Sequence, residues 1–425
     1  MEINKIKLKK WSNIMFTHKT FYYLKKVYIM LIACSIYSLS LAPSISAESF
    51  KIGILTGLTG GYGPWGQAGL QAAEVAAEEI NTAGGVNGQK VVLIPSDDKS
   101  TAEGAVVGWK RLVEIENVSA VAGIESDGAV ALLDESESAK VPIMCPACGT
   151  PKLASLGGKY VWRFTGGDDD LGVIMAQIAL ERTNSVAVLT QLGMEATEGI
   201  SDVFIPSFKK GGGSVVADIR FSGKAASFRG ELEKAFSSSN HVVISTNLEV
   251  GTRLITEYLR RNYGGTLYAI PELIADDVAQ LGGGVLDGKI FGVSPSYDYE
   301  NPAFVSFAKA FKAKSGKAPS SAMYEPNYYD QIIVLALAAV AGGANDGETI
   351  RNNLVSVANP PGKIVYSFAE GAKVLKSGGD IDYNGSSGSI DFNRFGNVSS
   401  FYGEVTPKDG SWNEVRAVEL KSDLR

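Results

Sequence analysis

Cys145-Pro146-Ala147-Cys148 brings two sulfur-bearing side chains within three positions of each other. A C-x-x-C pair can exchange electrons as a dithiol or supply half of a zinc site. No second pair completes a zinc site, so a local disulfide or two buried thiols is the expectation, without redox turnover. Gly61-Tyr62-Gly63-Pro64-Trp65-Gly66 has the G-x-G-x-x-G spacing that lets backbone approach a pyrophosphate. Pro64 and Trp65 would crowd that group, and the Gly-Lys-Ser/Thr of a phosphate loop is missing. The segment reads as a ligand loop or a plain turn. Asp168-Asp169-Asp170 could face a cation, but a solvated loop with Asp170 capping a helix before Leu171 is the simpler expectation.

Groups for acid–base or nucleophilic work are scarce. Beyond residue 47 the only histidine is His241, at the start of an expected strand. Sites in parallel sheets lie beyond the strands' carboxyl ends, so His241 stands at the wrong end. No G-x-S-x-G is present, and no His/Cys/Asp/Glu cluster has metal spacing. The sequence therefore speaks against an enzyme and calls for no cofactor or metal.

The elements that must position these residues alternate between strand and helix. Lys51–Leu55, Val91–Ile94, Ser119–Ile124 and Val141–Met144 are short apolar runs that read as buried strands. Between them Leu70, Ala73, Ala77 and Ile80 recur at helical spacing, and Gly84-Gly85 stops that helix. Ser100-Thr101-Ala102-Glu103 reads as a capping box, and a further helix is expected from about Gly128 to Ala139. The alternation restarts with strands at Ser185–Thr190, Ser214–Ile219, Val242–Ser245, Leu267–Ile270 and Lys289–Val293, with helices such as Leu254–Arg261 between them. Helices at Pro302–Lys314 and Tyr328–Ala341 follow, then a hairpin-like stretch from Ser389 to Glu419. Crossovers of this kind imply an α/β protein with doubly wound parallel sheets covered on both faces. At 425 residues, two such lobes are expected.

The first 47 residues stand apart. Lys19, Lys25 and Lys26 precede an apolar run from Val27 to Ala42, and Ser44-Ile45-Ser46-Ala47 offers small residues for cleavage before Glu48. This is the pattern of a secretory signal, overlong unless translation starts at Met15. An uncleaved anchor is the alternative, and Leu31-Ile32-Ala33-Cys34 leaves lipid attachment at Cys34 open. The leader carries seven lysines and one glutamate, so its removal takes the formal charge from −6 to −12. An acidic surface reads against nucleic acid or an anionic membrane as partner.

Taken together, the residues from Lys51 to Asp98 resemble the leucine/isoleucine/valine-binding proteins, type I periplasmic binding proteins of ABC importers. The resemblance is carried by Ile52-Gly53-Ile54, Leu58-Thr59-Gly60, Trp65-Gly66, Glu79-Ile80-Asn81, Gly84-Gly85-Val86-Asn87-Gly88 and Asp97-Asp98. Val141-Pro142-Ile143, Pro146-Ala147, Trp162-Arg163-Phe164 with Asp168, and Pro271-Glu272 extend it over most of Phe50 to Glu419. It implies two lobes joined by three crossover segments, near Asp168, Ser294–Tyr297 and Asn384–Ser389, with the ligand in the cleft. The expected division is 48–168 plus 297–387 for one lobe and 169–296 plus 388–425 for the other.

The resemblance also implies site residues. Ser126, with backbone N–H groups at a helix start, would hold a ligand carboxylate. Ala147 and Thr150 match a second carboxylate-side loop, and Trp65 matches an aromatic on the ligand at the cleft mouth. Glu272 matches an acidic residue facing the ligand ammonium, and Asp168 and Asp127 are further candidate contacts. Asp127 would repel a carboxylate, and Thr190–Glu198 lacks the Tyr-Gly of amino-acid binders. The ligand is thus an amino acid, an amide, a cationic amine or another small polar solute. The implied protein is an extracytoplasmic monomer whose partners are an ABC permease and its ATPase subunits; a ligand sensor coupled to a signalling partner shares the fold.

Overall fold

The computed structural model describes residues 49–424, so the leader, Cys34 and the cleavage site lie outside the described residues. The first series of strands is β1 (Phe50–Thr56), β2 (Val91–Asp97), β3 (Ala120–Ala122), β4 (Ile143–Cys145) and β5 (Val161–Arg163). They form one sheet in the order β2-β1-β3-β4-β5, with every pair parallel. Central β1 is buried along nearly its whole length, as a strand covered by helices on both faces must be. The helix Gly63–Thr82 packs on that sheet beside the helix Glu325–Gly342, which is buried on almost every face. Gly69 permits the contact, since a Cβ there would stand 2.4 Å from the Tyr328 ring.

The second series is β6 (Ser185–Leu192), β7 (Ser214–Ser222), β8 (His241–Ser245), β9 (Thr266–Ala269) and β10 (Ile290–Ser296). Three short strands follow, β11 (Lys363–Val365), β12 (Ile381–Gly385) and β13 (Gly388–Ser389), then β14 (Phe401–Lys408) and β15 (Ser411–Val418). The second large sheet runs β15-β14-β10-β9-β8-β6-β7. Its first five members by sequence are parallel, and the terminal hairpin adds two antiparallel strands at the β10 edge. The α/β class with two doubly wound parallel sheets stands, with that hairpin as an antiparallel extension.

The chain passes between the two large sheets after β5, after β10 and before β14. Buried Asn327 ties two of these passages together. Its amide donates to the Phe164 carbonyl and its Oδ1 accepts from the Tyr297 hydroxyl at 2.6 Å. Asp330, one turn on, accepts from the Tyr383 hydroxyl at 2.8 Å and from the Ser386 and Ser387 backbone at 2.9 and 2.6 Å. That carboxylate anchors the β12–β13 turn to the helix.

Three local expectations are corrected and one strand is added. The helix Ala102–Lys110 is capped by Thr101, whose side chain accepts from Gly104 N, and not by Ser100. The stretch from Gly128 to Ala139 is two short helices, Ser126–Ala131 and Leu133–Ala139. Val161–Arg163 is a strand that its brevity hid. The helix expected to follow Asp170 starts at Asp168, with Gly167 as its N-cap, so the three aspartates form its first turn and not a solvated loop. Carboxylates there complement the helix dipole. Among the described residues no single helix is long and apolar enough to cross a membrane.

Candidate functional site

Three adjacent parallel strands, β1, β3 and β4, end on one side of the first sheet, where their carboxyl ends build a wall of the cleft. The loop after β3 carries Glu125 and Ser126, both buried. Glu125 accepts from Thr56 Oγ1 at 2.6 Å and from Gly57 N at 3.2 Å, which pins it against the end of β1. Burial pushes its carboxyl well up, and neighbouring Asp98, itself raised to about 6 chiefly by burial, pushes it further. Ser126 Oγ accepts a long hydrogen bond from Thr150 N at 3.4 Å. The G-x-G-x-x-G stretch opens the helix Gly63–Thr82. Gly66 lets that helix start against the β1 loop, because a Cβ would stand 2.3 Å from Gly57 O. Trp65 is buried, not at the cleft mouth, and its indole donates to Ala322 O at 2.8 Å.

The facing wall comes from the second sheet and the passages between sheets. Pro271-Glu272 form a 3-10 turn just past β9. Burial raises the Glu272 carboxyl to about 7, and its Oε2 is buried without a hydrogen-bond partner among the described residues. Asp168 is only 3% exposed, and its Oδ2 likewise lacks a partner. Burial first, then the charge of Glu272, pushes Asp168 well up, while Arg163 behind it partly offsets the rise. Asp168 packs on the backbone of Gly149, whose carbonyl accepts from Asp168 N at 2.6 Å. A Cβ at Gly149 would fall 1.6 Å from Asp168 Oδ1. Tyr324 closes the site from the start of the helix Glu325–Gly342 in left-handed backbone geometry, φ 57° and ψ 18°. For a bulky residue that conformation is a true outlier, and such strain clusters at ligand clamps.

Of the residues singled out by sequence, Trp65, Ser126, Ala147, Asp168 and Glu272 line one narrow cavity. Tyr62, Glu125, Ala196, Pro271 and Tyr324 complete it. Asp127 and Thr150 do not line it. They edge a neighbouring pocket with Lys152 and Glu195. There Glu195 N donates to Asp127 Oδ1 at 3.3 Å, and Thr150 Oγ1 donates to Glu195 Oε2 at 3.3 Å. Both residues thus bridge the two walls.

Glu125 adjoins Ser126 just past β3, which is its signal in the sequence, and Tyr62 lies in the glycine-rich stretch as the N-cap of the helix Gly63–Thr82. Tyr324 had none, because it arrives from a distant helix. Cys145 and Cys148 form a disulfide, with Cα atoms 5.6 Å apart, and Ala147 between them faces the cavity. His241 lies at the opening end of β8, away from the site, with Nδ1 3.1 Å from the Tyr268 hydroxyl. Among the described residues no group of three or more His, Cys, Asp and Glu is arranged to hold a metal ion.

The family profile described as periplasmic binding protein matches residues 49–371. Leu/Ile/Val-binding protein homolog 7 of Brucella abortus is 25% identical over 367 residues, covering 80% of this chain and 88% of the relative. An amino acid binding protein of Pseudomonas aeruginosa is 26% identical over 307 residues, covering 69% and 79%. Among solved structures, the branched-chain amino acid transporter substrate binding protein LivJ of Streptococcus pneumoniae, in complex with isoleucine, superposes with a TM-score of 0.74 at 22% identity, covering 87% of this chain and 99% of that one. A solute binding protein of an ABC transporter from R. palustris, in complex with benzoate, gives 0.72 at 19% identity, covering 87% and 96%. At these identities the structural likeness speaks to the fold.

Proposed function

Because this chain belongs to the periplasmic binding protein family, we propose that it is the extracytoplasmic solute-binding protein of an ABC importer. It binds an amino acid or a related small polar solute by closing its two lobes, one built on each large sheet. The closed, loaded form is the state that the permease and its ATPase subunits distinguish. One observation supports the reading most: Trp65, Ser126 and Ala147 from the first sheet meet Glu272 from the second across a single cavity. Ligand clefts of α/β proteins lie in this position, at converging carboxyl ends of strands. In this reading Glu272 and Asp168 face a ligand ammonium, and Ser126 faces the rest of the ligand.

The test is a thermal-shift screen of the purified protein without its leader, over amino acids, amides, amines and aromatic acids. A ligand that binds only the folded state raises the melting temperature by mass action, by RT ln(1 + [L]/Kd). A saturable shift with one solute class, with the solute recovered chemically unchanged, is the expected result. Chemical turnover of the solute would make the protein an enzyme and defeat the proposal.

A further inference from the structure

The cavity lining contains three carboxyl groups, Glu125, Asp168 and Glu272, and three aromatic rings, Tyr62, Trp65 and Tyr324, but no lysine, arginine or histidine. Two of its carboxylate oxygens, Asp168 Oδ2 and Glu272 Oε2, are buried without a hydrogen-bond partner among the described residues. A buried charge is costly unless it is paired, and an oxygen left without a donor keeps its full desolvation cost. A ligand that brings donors and positive charge removes both penalties. From these juxtaposed carboxylates and rings we infer that the solute is a small organic ammonium that carries no carboxylate of its own. The inference rests on the solute-binding reading above and narrows its ligand.

The place where an amino-acid carboxylate would sit is unsuited to one. The helix that starts at Ser126 is only six residues long. Asp127 lies in its first turn and Glu125 precedes it, so two acidic side chains already flank its first N–H groups. Ser126 Oγ already accepts from Thr150 N. Arg163, whose guanidinium donates to Gly149 O and Thr150 O at 3.3 Å, approaches Asp168 from behind and does not reach the cavity. An anion entering here would meet carboxylates from both walls and no base. An ammonium instead donates to Asp168 and Glu272, and its alkyl stem lies against Tyr62, Trp65 and Tyr324, whose ring faces also attract a cation. Inorganic cations fit less well, because the carboxyls are not arranged as a metal-holding group and the aromatic rings offer them nothing to pack on.

Titration calorimetry at pH 8 on the purified protein without its leader would use n-butylammonium, 1,4-diaminobutane, ethanolamine, leucine, acetamide and butyrate. At least one of the three ammonium compounds should bind at least tenfold more tightly than leucine or acetamide, and butyrate should not bind. Asp168→Asn should weaken that ammonium at least tenfold, and Glu272→Gln serves as the second variant if the first does not fold. Leucine or acetamide binding as tightly as the best ammonium would overturn the inference and leave the solute-binding reading standing. Silence of all six probes, together with no hit in the thermal-shift screen, would remove both.

Discussion

Lys152 Nζ lies 2.6 Å from Glu195 Oε1, and the two side chains belong to opposite walls of the cleft. Lys152 follows β4 of the first sheet, and Glu195 opens the helix that follows β6 of the second. With the Thr150 and Asp127 bonds to the same residue, this contact holds the lobes together beside the cavity and not through it. The pair is half exposed on the lysine side, so it contributes at most about 1 kcal/mol to closure. Lys152→Ala should therefore weaken binding of the tightest solute found by no more than about fivefold. The loss should appear as faster release and should shrink at high salt, which stopped-flow release at two salt concentrations would measure. A loss of a hundredfold would mean that Lys152 touches the ligand.

Gly149 sets the position of Asp168. A side chain at 149 would overlap the Asp168 carboxylate, so Gly149→Ala must push Asp168 or the loop after β4 away. Binding should fall at least about tenfold, the loss of one charge-assisted contact. Circular dichroism should stay native, because the displaced group lines a cavity. An unchanged dissociation constant in calorimetry would show that Asp168 is not a contact.

The Cys145–Cys148 disulfide is buried beside Ala147 in the wall of the cavity. Without denaturant, mild reductant should leave it intact, and mass spectrometry of the unreduced protein should find it two hydrogens lighter than the dithiol. A buried bridge without an activated thiolate has no route to turnover. Catalytic reduction of a model disulfide above background would contradict this.

Much of the architecture was legible in sequence because it follows from periodicity. The buried runs of β1, β3 and β4 and the apolar stretch from Ile332 to Val340 left little choice of partner. Five cavity residues were legible through the family resemblance: Ser126, Ala147 and Glu272 also follow strand ends, whereas Asp168 and Trp65 were marked by the family pattern alone. What escaped depends on contacts distant in sequence. Glu125 could not be told from Ser126 or Asp127 without the Thr56 hydroxyl, 69 positions away, that pins it. Tyr324 enters from the start of a distant helix, in a left-handed conformation that its residue type disfavours. Asp127 and Thr150 have the right neighbours in sequence, yet they turn to Glu195 and edge another pocket.

Glu272 offers a test in which the free and loaded proteins respond oppositely. Its carboxyl is raised to about 7 by burial. Asp168, Tyr62 and Tyr324 face the same volume and feel its charge, and no base lines the cavity. A carboxyl whose folded pKa is raised costs no stability below its unfolded pKa, roughly 4.3, and removes stability as pH climbs toward and past 7. The residue as a whole is half-buried although its Oε2 is buried, and the cost at pH 8 is on the order of 1–3 kcal/mol. Glu272→Gln should thus raise the melting temperature of the ligand-free protein at pH 8 and leave it unchanged near pH 4.5. Affinity should move the other way. At pH 8, where the carboxylate is charged, the variant should bind the ammonium-bearing solute at least about tenfold more weakly, a loss of 1.4 kcal/mol. At pH 5 the wild-type carboxyl is protonated, and the two proteins should differ little. Melting curves at pH 8 and 4.5 and calorimetry at pH 8 and 5 would check this. A variant less stable than wild type at pH 8, with unaltered affinity, would mean that Glu272 is a structural group and does not meet the ligand.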